Sequence, residues 1–520
     1  MKKGKLLWVD DEIELLRSHI MFLNEKGYDV ETVTNGEDAI DFVAKVPFDL
    51  IFLDEMMSGM GGLETLAKIK EVNPNIPVVM VTKNEEESLM NEAIGSKIND
   101  YLLKPVNPNQ VLLVCKKFLE KKNISAEYVS KDYLQDFNLL SQRIFSDLNH
   151  EDWIDIYLKL INWDMELTKH PDLELEHTFI DLKRNANKEF SKFIEQNYKN
   201  WLNSDESRPL LSVNVVEESV FPLLEQKHNV FFFVLDCMRY DQWALMEEML
   251  YPYFNISKKS YYSILPSSTP YSRNSIFAGL FPSEIEKHYP ELWTHEHDDE
   301  HSHNKFEKEL LEKLLERKRI KLPNDLKYFK IIDPAYGRNF EQNVQTLINN
   351  NLTAVVVNFL DMIAHSRSDS TILKEIAPNE AAYRSLTQSW FTHSSLLRTF
   401  KNLSNQKNVR IVITTDHGSI RCLHGAKVLG DREALPNLRY KFGRNLKSEA
   451  RQAMFIRNPV DYKLPKRGLT INYIIAKEDY YFVYPTDYNK YLNLYKDSFQ
   501  HGGISMEELI LPIITLEPKL

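Results

Sequence analysis

Short runs of consecutive apolar residues, each closing on a polar one, constrain this chain more than any other feature. KLLWVDD, DVETV, DLIFLDE, VVMVT and DYLLK follow one another near the start, and NVFFFVLD, TAVVVNFLD and VRIVITTD appear in the second half. A strand with one wet face alternates apolar and polar residues, so an uninterrupted run needs cover on both faces. Helices wrapped around a parallel sheet supply that cover. Between the first five runs lie amphipathic stretches beginning near Glu12, Glu37, Glu64 and Glu85, with a last one from Asn109 to Lys122. The pattern predicts an α/β chain whose functional groups collect at the carboxyl ends of its strands.

At 520 residues the chain is too long for a single core. From about Ser125 to Asn203 the β-branched runs disappear, and DYLQDFNLLSQRIFSDL, EDWIDIYLKLINWDMEL and EHTFIDLKRNANKEFSKFIEQNYKNWL all carry helical spacing. Trp153, Trp163 and Trp201 fall in this region and read as core packing rather than as a nucleotide-stacking set. The polar stretch NSDESRP, ending at Pro209, marks a boundary. The expected domains are therefore 1–122, 123–208 and 209–520: a doubly wound α/β domain, a helical bundle and a second α/β domain.

Charge and cysteine content narrow the function classes. A net charge of -11 gives no broad attraction for a nucleic-acid backbone, and no basic helix-turn-helix pattern follows the first domain, which disfavours a DNA-binding regulator. Three widely spaced cysteines, Cys115, Cys237 and Cys422, do not make a disulfide scaffold and fit a reducing compartment. The N-terminus fails as a secretory signal and no apolar run reaches membrane-spanning length, so a cytoplasmic location is expected.

In the first domain Asp10 and Asp11 end the first strand, Asp54 the third, Thr82 the fourth and Lys104 the fifth. Three clustered carboxylates repel one another unless a divalent cation sits among them, which implies Mg2+ held by Asp11, Asp54 and the Met56 carbonyl, with Asp10 acting through water. Asp54 can then attack a phosphoryl donor while Lys104 offsets charge on the phosphoryl oxygens. Thr82 can hydrogen-bond the acyl phosphate, and Tyr101 can change rotamer as Thr82 moves. These residues in this order resemble the CheY-like receiver family. The resemblance implies a response regulator phosphorylated on Asp54 by a sensor histidine kinase, with dimerisation through the receiver. One departure stands out: Ser58 replaces the proline usual two residues beyond the position after the phosphoacceptor's neighbour, in DEMMSGMGG.

The second half repeats the theme with different chemistry. Asp236, Asp361 and Asp416 each follow a buried run; Asp361 and His365 lie one helical turn apart, His417 adjoins Asp416, and His501 sits in HGGIS. Three aspartates, three histidines and a hydroxyl suit two zinc-like ions. The set resembles the alkaline phosphatase superfamily, particularly its nucleotide phosphodiesterase branch and its PglZ domains. That resemblance implies one metal on Asp361, His365 and His501, and another on Asp236, Asp416, His417 and a nucleophile. Thr269 is the nucleophile by its spacing from Gly-Leu-Phe-Pro, ahead of Ser268 and Ser272. Arg273 and Ser272 are the expected substrate-binding groups, Ser272 standing where many relatives place an asparagine.

The order receiver, helical linker, PglZ-type domain resembles response regulators of the type IX secretion system. It implies a zinc-dependent phosphodiesterase acting on a nucleotide or oligonucleotide. The alternative is a non-catalytic adaptor whose metal-bound domain engages a sigma factor or a secretion component. Two further stretches carry expectations. WTHEHDDEHSHNKFEKEL, from Trp293, reads as a solvated lid rather than a zinc site, and Lys427, Arg432, Arg439, Lys441 and Arg444, with Tyr440 and Phe442 between them, read as an exposed basic face, an ordinary solvated surface ahead of a nucleotide-binding one.

Overall fold

A computed structural model describes residues 2–83, 98–204, 208–293, 304–430, 437–465, 470–486 and 488–519. The stretch expected to be helical near Glu85, the histidine-rich residues 294–303, Arg432 and the middle of NSDESRP lie outside this description. Two compact units divide the chain, residues 1–134 and 135–520.

The first unit carries β1 (Lys5–Val9), β2 (Asp29–Val33), β3 (Leu50–Asp54), β4 (Val78–Thr82) and β5 (Asp100–Leu103) in a parallel sheet of order β2-β1-β3-β4-β5. Helices α1 (Arg17–Glu25), α2 (Gly36–Lys45), α3 (Gly62–Val72) and α4 (Pro108–Cys115) accompany it. The unbroken apolar runs are explained by the two cores they feed. Leu6, Trp8, Leu50, Phe52, Val79 and Val81 pack on one face, and Leu7, Val9, Ile51, Leu53, Val78 and Met80 on the other. A strand's period of two sends neighbours to opposite faces, and here both faces are dry. The expected doubly wound receiver fold is present.

Helix α5 (Lys121–Arg143) is followed by α6 (His150–Lys169) and α7 (Glu176–Trp201). Asn149 caps α6 through the Glu151 and Asp152 amides while Asp152 returns to the Asn149 amide, a capping box that fixes where the helix starts. Trp153 and Trp201 are buried among Phe190, Phe193 and Tyr262, as core residues should be, and the Trp163 indole donates to Asp136 at 3.0 Å. Tyr262 ends a strand of the large sheet, so α6 and α7 share a core with the C-terminal half and belong to its compact unit.

That half is built on β6 (Asn229–Leu235), β7 (Phe254–Tyr262), β8 (Lys327–Ile331), β9 (Leu352–Val357) and β10 (Val409–Thr414). Smaller strands follow: β11 (Ile420–Cys422), β12 (His424–Lys427), β13 (Tyr440–Gly443), β14 (Ala453–Ile456), β15 (Asn472–Ala476), β16 (Tyr480–Val483) and β17 (Ser498–Gln500). The long β18 (Ile510–Pro518) returns to the large sheet, whose order is β7-β18-β10-β6-β9-β8. Strands β10, β6, β9 and β8 run parallel, while β18 is antiparallel to both β10 and β7. Phe231, Phe233, Phe340 and Phe400 lie in the core on one face, Phe233 meeting Phe400 edge-on at 5.1 Å between centroids. Helices α8 (Tyr240–Glu248), α9 (Thr269–Ala278), α10 (Glu307–Arg317), α11 (Phe359–Asp369) and α12 (Glu380–His393) surround the sheet. Asp236, Asp361 and Asp416 follow β6, β9 and β10, three adjacent parallel strands, so their carboxylates emerge at one edge.

Candidate phosphoacceptor site and candidate metal centre

At the edge of the first sheet, carboxylate oxygens of Asp10, Asp11 and Asp54 lie within 4.8 Å of one another. Asp10 and Asp54 are buried and Asp11 is exposed. The Lys104 ammonium bridges the two buried acids, at 2.8 Å from Asp10 and 3.0 Å from Asp54. Burial raises the Asp54 carboxyl above its ordinary range; the Lys104 hydrogen bond opposes this and the neighbouring Asp10 charge adds to it. Lys104 itself is raised, because its bonds to Asp10 and Asp54 outweigh the burial that would lower it. Gly62 lets α3 start against the phosphoacceptor: a Cβ there would sit 2.3 Å from the Asp54 carbonyl oxygen.

The remaining receiver residues are less tightly grouped. Thr82 is buried, and its hydroxyl donates to the Glu55 carboxylate, a partner that the strand-end reading missed because Glu55 lies one step beyond the apolar run. Tyr101 and the Met56 side chain are exposed. The Ser58 backbone N–H donates to Asp11 at 3.0 Å, a bond that a proline in that place could not make.

In the second unit, two groups of three ligand-type side chains each converge to within 4.8 Å: Asp361, His365 and His501, and Asp236, Asp416 and His417. The i, i+4 spacing on α11 brings His365 Nε2 to 3.3 Å from Asp361, and His501 Nε2 lies 3.2 Å from His365 Nε2. The rings of His417 and His501 stack at 4.1 Å, so the two groups adjoin. His417 Nδ1–H donates to the Gly418 carbonyl at 3.1 Å, which leaves Nε2 as the acceptor nitrogen, 3.7 Å from Asp236 and 3.6 Å from Asp416. Burial lowers the His417 pKa and so favours this neutral form. Gly418 is required where the two chain segments touch, since a Cβ would lie 1.9 Å from the Glu507 carbonyl oxygen.

Burial pushes the Asp236 carboxyl up to about 7, Arg273 working against the rise and Asp416 with it. Burial would also raise Asp361, but contact with His365 and the nearby His501 and His417 hold it below the usual carboxylate range. Asp236 Oδ1 is fully buried and accepts no hydrogen bond from the described residues. A dehydrated carboxylate oxygen beside an imidazole lone pair is costly by itself and is the donor set a divalent cation takes. The residues therefore fit the two-metal arrangement. Asp361, His365 and His501 would hold one ion, and Asp236, Asp416 and His417 the other.

Thr269 opens α9, and its hydroxyl lies 3.0 Å from His417 Nε2. Ser268, just before it, is buried, and its hydroxyl has no hydrogen-bond partner among the described residues. The two expected substrate-binding residues lie beside this cluster. The Arg273 guanidinium is buried and paired with Asp236, with Asp416 at 3.0 Å and with Glu307 at 3.4 Å, so it balances the charge of the carboxylates. The Ser272 hydroxyl is shared with Ser263 at 2.8 Å. The expectation of an exposed basic stretch is corrected: Arg439 is buried in a two-pronged pair with Glu508, at 3.1 and 2.6 Å, and Lys441 is buried beneath the Tyr484 ring at 4.8 Å. Neither residue contributes to an exposed basic face.

Glu307 escaped the sequence reading, although a signal existed. In KFEKELLEKLLER it occupies the phase of the buried stripe shared by Leu310, Leu311, Leu314 and Leu315. An acid in an apolar phase must have a buried partner, and Arg273, Tyr328 and Lys330 supply it.

Comparison with known proteins agrees with this division of labour. A family model described as the response regulator receiver domain matches residues 6–116, one described as the PorX response regulator linker domain matches 123–202, and one described as the BREX system PglZ alkaline phosphatase-like domain matches 215–516. The alginate biosynthesis transcriptional regulatory protein AlgB of Pseudomonas syringae pv. tomato is 36% identical over 124 residues, covering 24% of this chain and 28% of that protein. The transcriptional regulatory protein ResD of Bacillus subtilis is 34% identical over 117 residues, 22% of this chain and 48% of its own length. This chain thus spans about a quarter to a half of those relatives. Among solved structures, chemotaxis protein CheY4 of Vibrio cholerae aligns at 29% identity over 22% of this chain and 98% of its own, with a TM-score of 0.22. No helix among the described residues is long and apolar enough to cross a membrane. Since the PglZ match extends over more than half of its length, behind a receiver and a PorX-type linker, the chain belongs to the PglZ family and is a response regulator with an alkaline phosphatase-like domain.

Proposed function

We propose that this response regulator is a phosphorylation-switched, zinc-dependent phosphodiesterase acting on a nucleotide or oligonucleotide, with Thr269 as its nucleophile. The observation that carries the reading is the Thr269 hydroxyl, 3.0 Å from His417 Nε2 beside two adjoining Asp/His groups. Two zinc ions, when bound, supply the lowered hydroxyl pKa and the stabilisation of the leaving oxygen that such chemistry needs. The chain's own contribution is positional. His417 stays neutral and oriented through Gly418, Arg273 neutralises the carboxylates from behind, and the start of α9 fixes the Thr269 oxygen for in-line attack on phosphorus. That attack forms the Thr269–phosphoryl ester and releases the alcohol, and water then cleaves the ester and restores the hydroxyl.

In the receiver, Asp54 takes the phosphoryl group from a sensor histidine kinase, with Asp11, Asp54 and the Met56 carbonyl as the residues that would hold Mg2+ and Asp10 acting through water. Thr82, Tyr101 and Lys104 then carry the change outward, and dimerisation of the receiver and control of type IX secretion are its proposed consequences. Hydrolysis of bis(p-nitrophenyl) phosphate by the zinc-loaded chain is the direct test. Turnover should stop with a chelator and in Thr269→Ala; full turnover in that variant would exclude Thr269, and no turnover of any phosphoester by well-metallated protein would exclude the enzyme reading.

A further inference from the structure

Five polar side chains of α7, Lys183, Asn187, Ser191, Glu195 and Tyr198, recur at spacings of four and three and so share one face of the helix. That face looks onto the loops of the candidate metal centre. Lys183 lies 3.1 Å from Glu507 and 2.9 Å from Glu380. The Asn187 amide donates to Glu507 at 3.0 Å and accepts from the Met506 N–H at 2.8 Å. Ser191 donates to the Ile504 carbonyl at 3.3 Å and accepts from the Glu478 N–H at 3.4 Å. Glu195 pairs with Lys477 at 2.5 Å, and the Tyr198 hydroxyl accepts from the Leu265 N–H at 2.7 Å, four residues before Thr269. Ser267 donates to the Gly503 carbonyl at 2.8 Å and ties the two loops together.

Packing alone does not explain this stripe. Asn187 is 4% exposed and Ser191 1%, and apolar residues in those positions would pack without needing partners. Two of their four partners, the Met506 N–H and the Ile504 carbonyl, are backbone groups of the segment after His501, which lies outside the strands and joins Ala476 and Glu478 through a single bridge at Ile504. Buried amide and hydroxyl groups on a rigid helix fix such a segment in one position, as outer hydrogen bonds orient metal-binding side chains generally.

We propose that α7 is the positioning element of the metal centre, with Asn187 as the residue that sets the His501 loop. The linker is on this view part of the site's scaffold and not a spacer ahead of it. The inference rests on the two-metal reading above, and the test separates the two. In the full chain, metal-free, Asn187→Leu is expected to speed amide exchange in residues 501–508 about tenfold or more while leaving β6 and β10 unchanged. Titration with Zn2+ against a chromophoric chelator is expected to show one of two ions weakened about ten- to a hundredfold. Ser191→Ala carries the same expectation at smaller amplitude should the Asn187 variant not fold. Unchanged exchange together with unchanged Zn2+ affinity in a folded variant would overturn the positioning role. A wild-type chain that binds no zinc would instead overturn the metal reading, with the exchange measurement still judging α7.

Discussion

Both halves of the molecule place carboxylates at the ends of parallel strands, yet they balance those charges in opposite ways. In the receiver one lysine bridges Asp10 and Asp54 while Asp11 stays exposed, so one carboxylate of the cluster is open to solvent. In the second unit Asp236, Asp416 and His417 are buried and braced by a buried arginine that is itself held by Glu307. On the function proposed above, the contrast matches two demands on the same ingredients. A switch must exchange its ligand readily, whereas a hydrolytic centre gains from groups whose orientation is settled before the substrate arrives.

Variants that strike one half only separate the two sites. The largest expected effect is in the receiver: Asp54→Asn should lose all phosphorylation by acetyl phosphate, read as loss of the shifted band on a phosphate-affinity gel, while zinc uptake by the second unit is retained. If zinc uptake falls too, the two sites are not chemically separate. Thr269→Ala should reduce phosphodiester turnover by about three orders of magnitude or more, with receiver phosphorylation intact.

Stability tests follow. Arg439→Met leaves Glu508 buried without its partner, and should cost about 3–5 kcal/mol in denaturant unfolding of the second unit. The smallest effect concerns Lys441, which burial pushes down to about 7 from an unfolded value near 10.5. Between those limits the unfolded chain holds the extra proton, so this lysine makes stability rise with pH, and its cost is fully present below pH 7. Lys441→Met should flatten that rise and raise the melting midpoint at pH 7, by about 2–4 °C for each kcal/mol recovered. A midpoint that falls instead would assign Lys441 a stabilising role.

The strand-end acids were legible because a parallel sheet buried on both faces leaves a plain trace, an unbroken apolar run with its functional residue directly after it. Topology then did the rest, since β10, β6 and β9 are neighbours and bring Asp416, Asp236 and Asp361 together. Partners contributed by distant helices left weaker traces. Glu307 and Asn187 sit in buried phases of their helices, which shows that each needs a partner but not which one. Thr82 was placed correctly, but its contact with Glu55 depends on side-chain direction, which spacing does not carry. The basic stretch failed for a related reason: alternation along β13 says that Tyr440 and Lys441 face opposite ways, but not that both faces are covered.

The parallel pairing at the heart of the large sheet has a further consequence, for how the protein is made. Asn229 on β6 lies opposite Val409 on β10, and the chain between them must be gathered before that register can form. Contacts of such long range form slowly, and until they do, FFFV on β6 and IVIT on β10 are apolar edges open to pairing with other chains. A divalent cation that binds only the assembled centre would draw the chain towards the closed form by mass action. The yield of soluble protein should therefore follow the zinc supply during synthesis, and the metal would act as a folding partner before it ever meets a substrate.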